Sequence, residues 1–136
     1  MLYKGYVETK GKASIEKLKN RTTWKTYDEV KNLNGFGGVL ADDTILIDID
    51  DSDQSEILMN IVEELQLDCK VLCTSRGKHF LFKNRTITRN RTHVQLAVGL
   101  TADIKVGSKL SYEVIKIDGE AVSYTHLRAH ETGRNL

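Results

Sequence analysis

Thr44-Ile45-Leu46-Ile47-Asp48-Ile49-Asp50 is the stretch on which the fold turns. Its β-branched run has the composition of a strand, and strand alternation sends Ile47 and Ile49 into a core while Asp48 and Asp50 share the opposite face. Upstream, Gly38-Val39-Leu40-Ala41 ends in Asp42-Asp43, a tight-turn signal between two apolar runs that predicts a hairpin. Downstream, Ser52 and Asp53 are cap-type residues, and Glu56 stands three after Asp53 as in a capping box. Ile57, Leu58, Ile61, Val62 and Leu65 then recur at helical spacing and predict an amphipathic helix. Lys70–Thr74, a turn over Ser75–Lys78 and His79–Phe82 predict a second hairpin. Hairpins around one strong helix make the chain α+β rather than a doubly wound parallel sheet.

The flanks add shorter elements. A strand is predicted over residues 2–7, then a basic loop over Glu8–Arg21 with a short helix around Ser14–Leu18. Thr23 precedes a capped helix over Trp24–Val30. A basic loop over Lys83–Arg91 and strands over Val94–Val98, Ala102–Val106 and Tyr112–Ile117 follow. At 136 residues the chain has the length of one domain. Its 40% hydrophobic and 29% charged residues are those of a folded protein, not a disordered one. No apolar run is long enough for a membrane span, and Met1-Leu2-Tyr3-Lys4 is no signal peptide. The formal charge of +1 argues against a highly basic coat protein or histone-like binder and leaves room for a local basic groove. Cys69 and Cys73 are too few for a disulfide framework and fit a reducing cytoplasm.

From Ala121 onward the chain reads Ala-Val-Ser-Tyr-Thr-His-Leu-Arg-Ala-His-Glu-Thr, with no apolar period of a strand or helix. The string resembles a translated sequencing adapter. That puts the end of the native frame near Glu120, with residues 1–120 as the functional domain and 121–136 as a non-native tail. His126 and His130 lie in this tail and are set aside as metal ligands.

Three segments carry chemistry. Asp48 and Asp50, with Cα atoms ~6.6 Å apart along a strand rising ~3.3 Å per residue, can converge on one hard divalent ion or bracket a pair. The alternative is a strand end that exposes solvated acids before a helix, with Asp51 and Ser52 as caps. Thr74-Ser75-Arg76-Gly77-Lys78-His79 offers backbone N–H groups, cations and an imidazole to a phosphate, or is an ordinary solvated turn. Ala102-Asp103-Ile104-Lys105 places an acid and a base on one strand face, as a functional pair or a cross-strand ion pair. Cys69 and Cys73 with His79 or His93 would make a poor zinc site, because a second cysteine pair is missing.

The order apolar-Asp-x-Asp, then small/basic-Gly-x-His, then apolar-Asp-x-Lys resembles the archaeo-eukaryotic primase superfamily, in particular the primase-polymerase domains of phages and plasmids. Asp48-Ile49-Asp50 matches that family's first motif, Gly77-Lys78-His79 its second and Ala102-Asp103, ahead of the Glu113 region, its third, within roughly residues 35–120. Arg76 and Lys78 stand where the family often has Gly, and the chain stops where members usually continue. The resemblance implies an RRM-like antiparallel sheet carrying the acids, in a C-terminally truncated primase-polymerase domain. It implies two Mg²⁺ or Mn²⁺ ions on Asp48, Asp50 and Asp103. It also implies a dNTP or NTP triphosphate bound by Ser75, Arg76, Gly77, His79 and Lys105. Catalysis would rest on the three acids with His79. A single-stranded DNA template would run along the basic segments Lys10–Arg21 and Lys83–Arg91 in the host cytoplasm, with a replicative helicase as a further domain or partner.

Two other classes stay open on the residues alone. One is a non-catalytic nucleotide- or DNA-binding module of a replication protein. The other is a metal-dependent nuclease or Toprim-type enzyme, although Glu8, Glu16 and Glu29 are not in the strand-end setting that a Toprim site needs.

Overall fold

Extended segments dominate the computed structural model, which describes residues 2–83, 91–95, 100–121 and 123–127. In chain order these are β1 (Tyr3–Lys10), β2 (Ala13–Ser14), α1 (Tyr27–Val30), β3 (Phe36–Leu40), β4 (Thr44–Ile49), α2 (Ser52–Glu64), β5 (Cys69–Cys73), β6 (Lys78–Lys83), β7 (Arg91–Gln95) and β8 (Thr101–Val106). A 3₁₀ turn (Gly107–Lys109), β9 (Tyr112–Ile117), β10 (Glu120–Ala121) and β11 (Ser123–Leu127) complete the order. The class is α+β, with one sheet in the order β10-β9-β3-β1-β2 and a second in the order β11-β5-β6-β4-β8-β7. Among the described residues no helix is long and apolar enough to cross a membrane.

The chain divides into two compact units, each assembled from separated segments: residues 1–45, 83–89 and 105–122, and residues 46–82, 90–104 and 123–136. In the first unit β3 pairs antiparallel with β1 and with β9. Val7, Val30, Phe36, Val39 and Leu40 are buried there, and a buried polar pair joins Tyr3 Oη to Glu113 Oε1 at 3.0 Å. Gly38 is a glycine because a Cβ there would stand 2.6 Å from the Tyr3 ring.

The second unit builds the sheet that matters for function. Here β5 pairs antiparallel with β6 and β11, and β7 with β8. One sheet face packs Ile49, Cys69, Val71, Phe80 and Ala102, with Ile47 and Phe82 partly buried, against Val62, Leu58 and Met59 of α2. Burying a side chain such as Val62 contributes about 1.5–3 kcal/mol. By alternation the opposite face receives Leu46, Asp48, Leu72, His79, Leu81 and Asp103.

Several local expectations fail for tertiary reasons. The first predicted hairpin does not form. Asp42-Asp43 does turn tightly, with Thr44 N–H donating to Ala41 O at 2.9 Å, but β3 and β4 enter different sheets. Each is an interior strand of its sheet, and every residue of β3 and the first three of β4 are buried, which accounts for their apolar runs. No helix forms over Ser14–Leu18: Ser14 belongs to β2, its N–H donates to Tyr112 Oη at 3.0 Å, and Glu16 accepts from Glu8 N–H. The cap of α1 is Thr26, not Thr23, because Trp24 and Lys25 are held extended by a bridge between Tyr6 and Lys25.

Asp51 rather than Ser52 or Asp53 caps α2, accepting from Gln54 N–H at 2.9 Å, so Glu56 is no capping-box partner and instead pairs with Lys78. The buried face is Ser55, Leu58, Met59 and Val62, which leaves Ile57 46% and Leu65 65% exposed. The second hairpin forms as predicted, with Leu72 opposite His79 and Cys73 opposite Lys78. The tail without apolar period nevertheless extends along β5 as β11, Ser123 opposite Cys73 through Leu127 opposite Cys69. An open sheet edge presents backbone groups that pair with any extended segment, whatever its side chains. Residues 84–90 of the second basic loop and the end of the strand predicted over Val94–Val98 lie outside the described residues.

Candidate functional site

The end of β4 distributes four consecutive residues between core, site and helix cap. Ile49 is fully buried, Asp51 is committed to capping α2, and Asp48 and Asp50 are left on the other side of the strand. Asp103, between the buried residues Ala102 and Ile104 of β8, points the same way by the same period. One carboxylate oxygen from each of Asp48, Asp50 and Asp103 lies within 4.8 Å of the other two. Among the described residues this is the one cluster of three acid, histidine or cysteine ligands so close together.

The β5–β6 turn brings the second group of residues. Thr74 N–H donates to Gly77 O and Gly77 N–H donates to Thr74 Oγ1, each at 3.0 Å, which closes the turn over Ser75 and Arg76. Gly77 then lies directly on the end of β4. A Cβ there would sit 1.9 Å from Ile49 O and 3.2 Å from Asp51 N, so only glycine permits the approach. The next outward position on β6 carries His79, whose Nε2 is 3.2 Å from Asp48 Oδ1.

The electrostatics follow from that crowding. Burial pushes the Asp50 carboxyl above the ordinary range. Asp48 pushes it further, by its charge and by a hydrogen bond between the two side chains, against the opposing pull of His79 and Arg76. Two carboxyls this close resist double ionisation unless a cation joins them. The donor set is three hard oxygen ligands, the type that suits Mg²⁺ or Mn²⁺.

The structure therefore brings together Asp48, Asp50, Asp103 and His79, with Arg76 near enough to act on Asp50. Ser75 is exposed on the turn. Lys78 faces away from the acids, paired with Glu56 and 3.4 Å from Ser55 Oγ. Lys105 is exposed on β8, two residues after Asp103. In the first basic segment, Arg21 is engaged with Glu16 at 2.8 Å, while Lys10, Lys12, Lys17 and Lys19 are exposed. Cys69 is buried in the core and Cys73 is exposed, so the two do not form a joint ligand pair.

Sequence reasoning missed Gln54. Its Oε1 accepts from Thr101 N–H at 2.9 Å, tying the start of β8 to the first turn of α2. The signal was present as Asp51-x-x-Gln54, the spacing of a capping box, but the side chain turns to β8. No protein-family model, curated protein or solved structure matches the chain.

Proposed function

We propose that the second unit carries a template-directed nucleotidyl-transfer site of the primase-polymerase kind, using Mg²⁺ or Mn²⁺ held by Asp48, Asp50 and Asp103. The observation that carries this reading is the convergence of the three carboxylates within 4.8 Å beside an imidazole and a glycine turn that bears an arginine. The order of these groups along the chain is the one in which the resemblance to archaeo-eukaryotic primases rests. Bound divalent ions would lower the pKa of an attacking 3′-hydroxyl and offset charge on the triphosphate and its leaving pyrophosphate.

The chain's own groups do the positioning. His79 Nε2 stands 3.2 Å from Asp48 Oδ1, which would put the imidazole beside the charged end of a triphosphate held at the acids. Arg76, exposed on the β5–β6 turn, offers a planar donor pair to phosphate oxygens. Gly77 sets how close both stand to the acids. Ser75 is within the same turn and adds a hydroxyl. Lys105, two residues on from Asp103 along β8, would reach the phosphates or balance Asp103. A single-stranded DNA template and a dNTP or NTP are the substrates, and an RRM-like arrangement of the six-stranded sheet accompanies the reading.

The test is nucleotide incorporation on single-stranded DNA with Mg²⁺ or Mn²⁺, by this chain and by its Asp48→Ala/Asp50→Ala variant. Incorporation by the parent and none by the variant is the expected result. Equal incorporation by both removes the assignment. Nicking of DNA without synthesis replaces it with a nuclease, and Mn²⁺-dependent nucleotide binding without incorporation replaces it with a binding module.

A further inference from the structure

Asp103 is distant in sequence from Asp48 and Asp50, and its strand must be held in register for its carboxylate to meet theirs. A one-residue slip of β8 would turn Asp103 into the core and Ile104 or Ala102 outward. Two hydrogen bonds connect the two halves of the acid cluster through α2. Asp51, the residue after Asp50, accepts from Gln54 N–H at 2.9 Å, and Gln54 Oε1 accepts from Thr101 N–H at 2.9 Å. Thr101 opens β8, two residues before Asp103. The same glutamine thus grips the end of β4 with its backbone and the start of β8 with its side chain.

From this relay we infer that Gln54 is a positioning residue for Asp103: it touches neither metal nor substrate and sets where the third carboxylate stands relative to the first two. The inference rests on the metal reading of the acid cluster. Gln54 is half-buried on the first turn of α2. Its acceptor, rather than its bulk, is the feature that Thr101 uses. Glu in its place keeps an acceptor for the Thr101 N–H, whereas Met keeps the size and has none of comparable strength.

The experiment measures Mn²⁺ binding to the full chain by electron paramagnetic resonance of the free ion. It compares the parent, Gln54→Met, Gln54→Glu, Asp103→Asn and the double variant Gln54→Met/Asp103→Asn, with amide exchange of Thr101 followed in parallel. Loss of one hydrogen bond predicts Mn²⁺ affinity weakened about three- to tenfold in Gln54→Met, with faster exchange at Thr101. In the Asp103→Asn background the same substitution should cost nothing further, because the group that it positions is no longer a carboxylate. Gln54→Glu should bind Mn²⁺ at least as tightly as the parent.

A purely structural glutamine would lower melting temperature without this dependence on Asp103. Equal weakening in both backgrounds, unchanged affinity in Gln54→Met, or a Gln54→Glu variant as weak as Gln54→Met overturns the inference and leaves the metal reading standing. A parent that binds no Mn²⁺ overturns the metal reading itself, and the inference with it. If Gln54→Met fails to fold, Gln54→Asn, whose acceptor is one methylene short of Thr101, takes its place with the same expected outcomes.

Discussion

Gly77→Ala is the substitution that presses hardest on the site without touching any of its functional groups. A Cβ built at Gly77 stands 1.9 Å from Ile49 O, against the 3.4 Å at which ordinary contact begins, so the turn and the strand must part by 1.5 Å. The obstructing atom is a backbone carbonyl of β4, next to a fully buried side chain, and cannot swing aside as a lysine end could. Overpacking of this kind costs about 1–3 kcal/mol. The displacement falls between the turn that carries Arg76 and His79 and the strand end that carries Asp48 and Asp50. Misplacement of about 1 Å at reacting groups can cost about a hundredfold in rate.

Urea unfolding should therefore show a loss of about 1–3 kcal/mol, and nucleotide incorporation should fall by about two orders of magnitude in the folded variant. Ser75→Ala, two residues earlier on an exposed position of the same turn, should leave stability unchanged and cost incorporation only the one hydroxyl that it adds to phosphate binding, about 0.5–1.5 kcal/mol. A Gly77→Ala protein as stable as the parent would refute the steric argument. One that loses stability but keeps full activity would refute the claim that this contact sets the site.

Two further outcomes follow from the titrating groups. The folded pKa of Asp50 is raised, by burial and then by Asp48, so the folded chain keeps a proton that the unfolded chain releases. In EDTA, the contribution of Asp50 to stability should therefore be greatest below the ordinary Asp range, fall as pH rises through the raised value and level off above it. Asp50→Asn should remove that component, so the parent-minus-variant difference in urea midpoint should decline with pH; a difference that grows would contradict it. Burial pushes the Cys69 thiol up to about 12, while Cys73 is exposed, so the folded chain should titrate one fast thiol and the denatured chain two. Two fast thiols in the native protein would show the core around Cys69 to be open.

What could be read without coordinates was whatever depends on a strand's period of two. Alternation alone places Ile49 in the core and Asp48 and Asp50 together on the outer face, and puts His79 and Asp103 on the outer face of their own strands. The second hairpin was equally legible, because its turn and both its strands are neighbours in the chain. Pairing between distant strands has no such local signature. Gly38–Ala41 and Thr44–Asp50 look like the arms of one hairpin because both are apolar and a turn divides them. Yet each is apolar where it is buried in a separate sheet.

The helix shows a subtler limit. Ile57 and Leu65 complete an apolar face in the sequence, but both lie exposed, and the contact is made instead through the fully buried Ser55 and Val62. A small polar residue in the contact carries no hydrophobic signal. Gly77 and Gln54 share that silence. One acts by lacking a side chain beside Ile49 O, the other through an acceptor given to Thr101 N–H across 47 residues. The acids of the site were visible as chemistry; the residues that hold them at their distance are visible only as geometry.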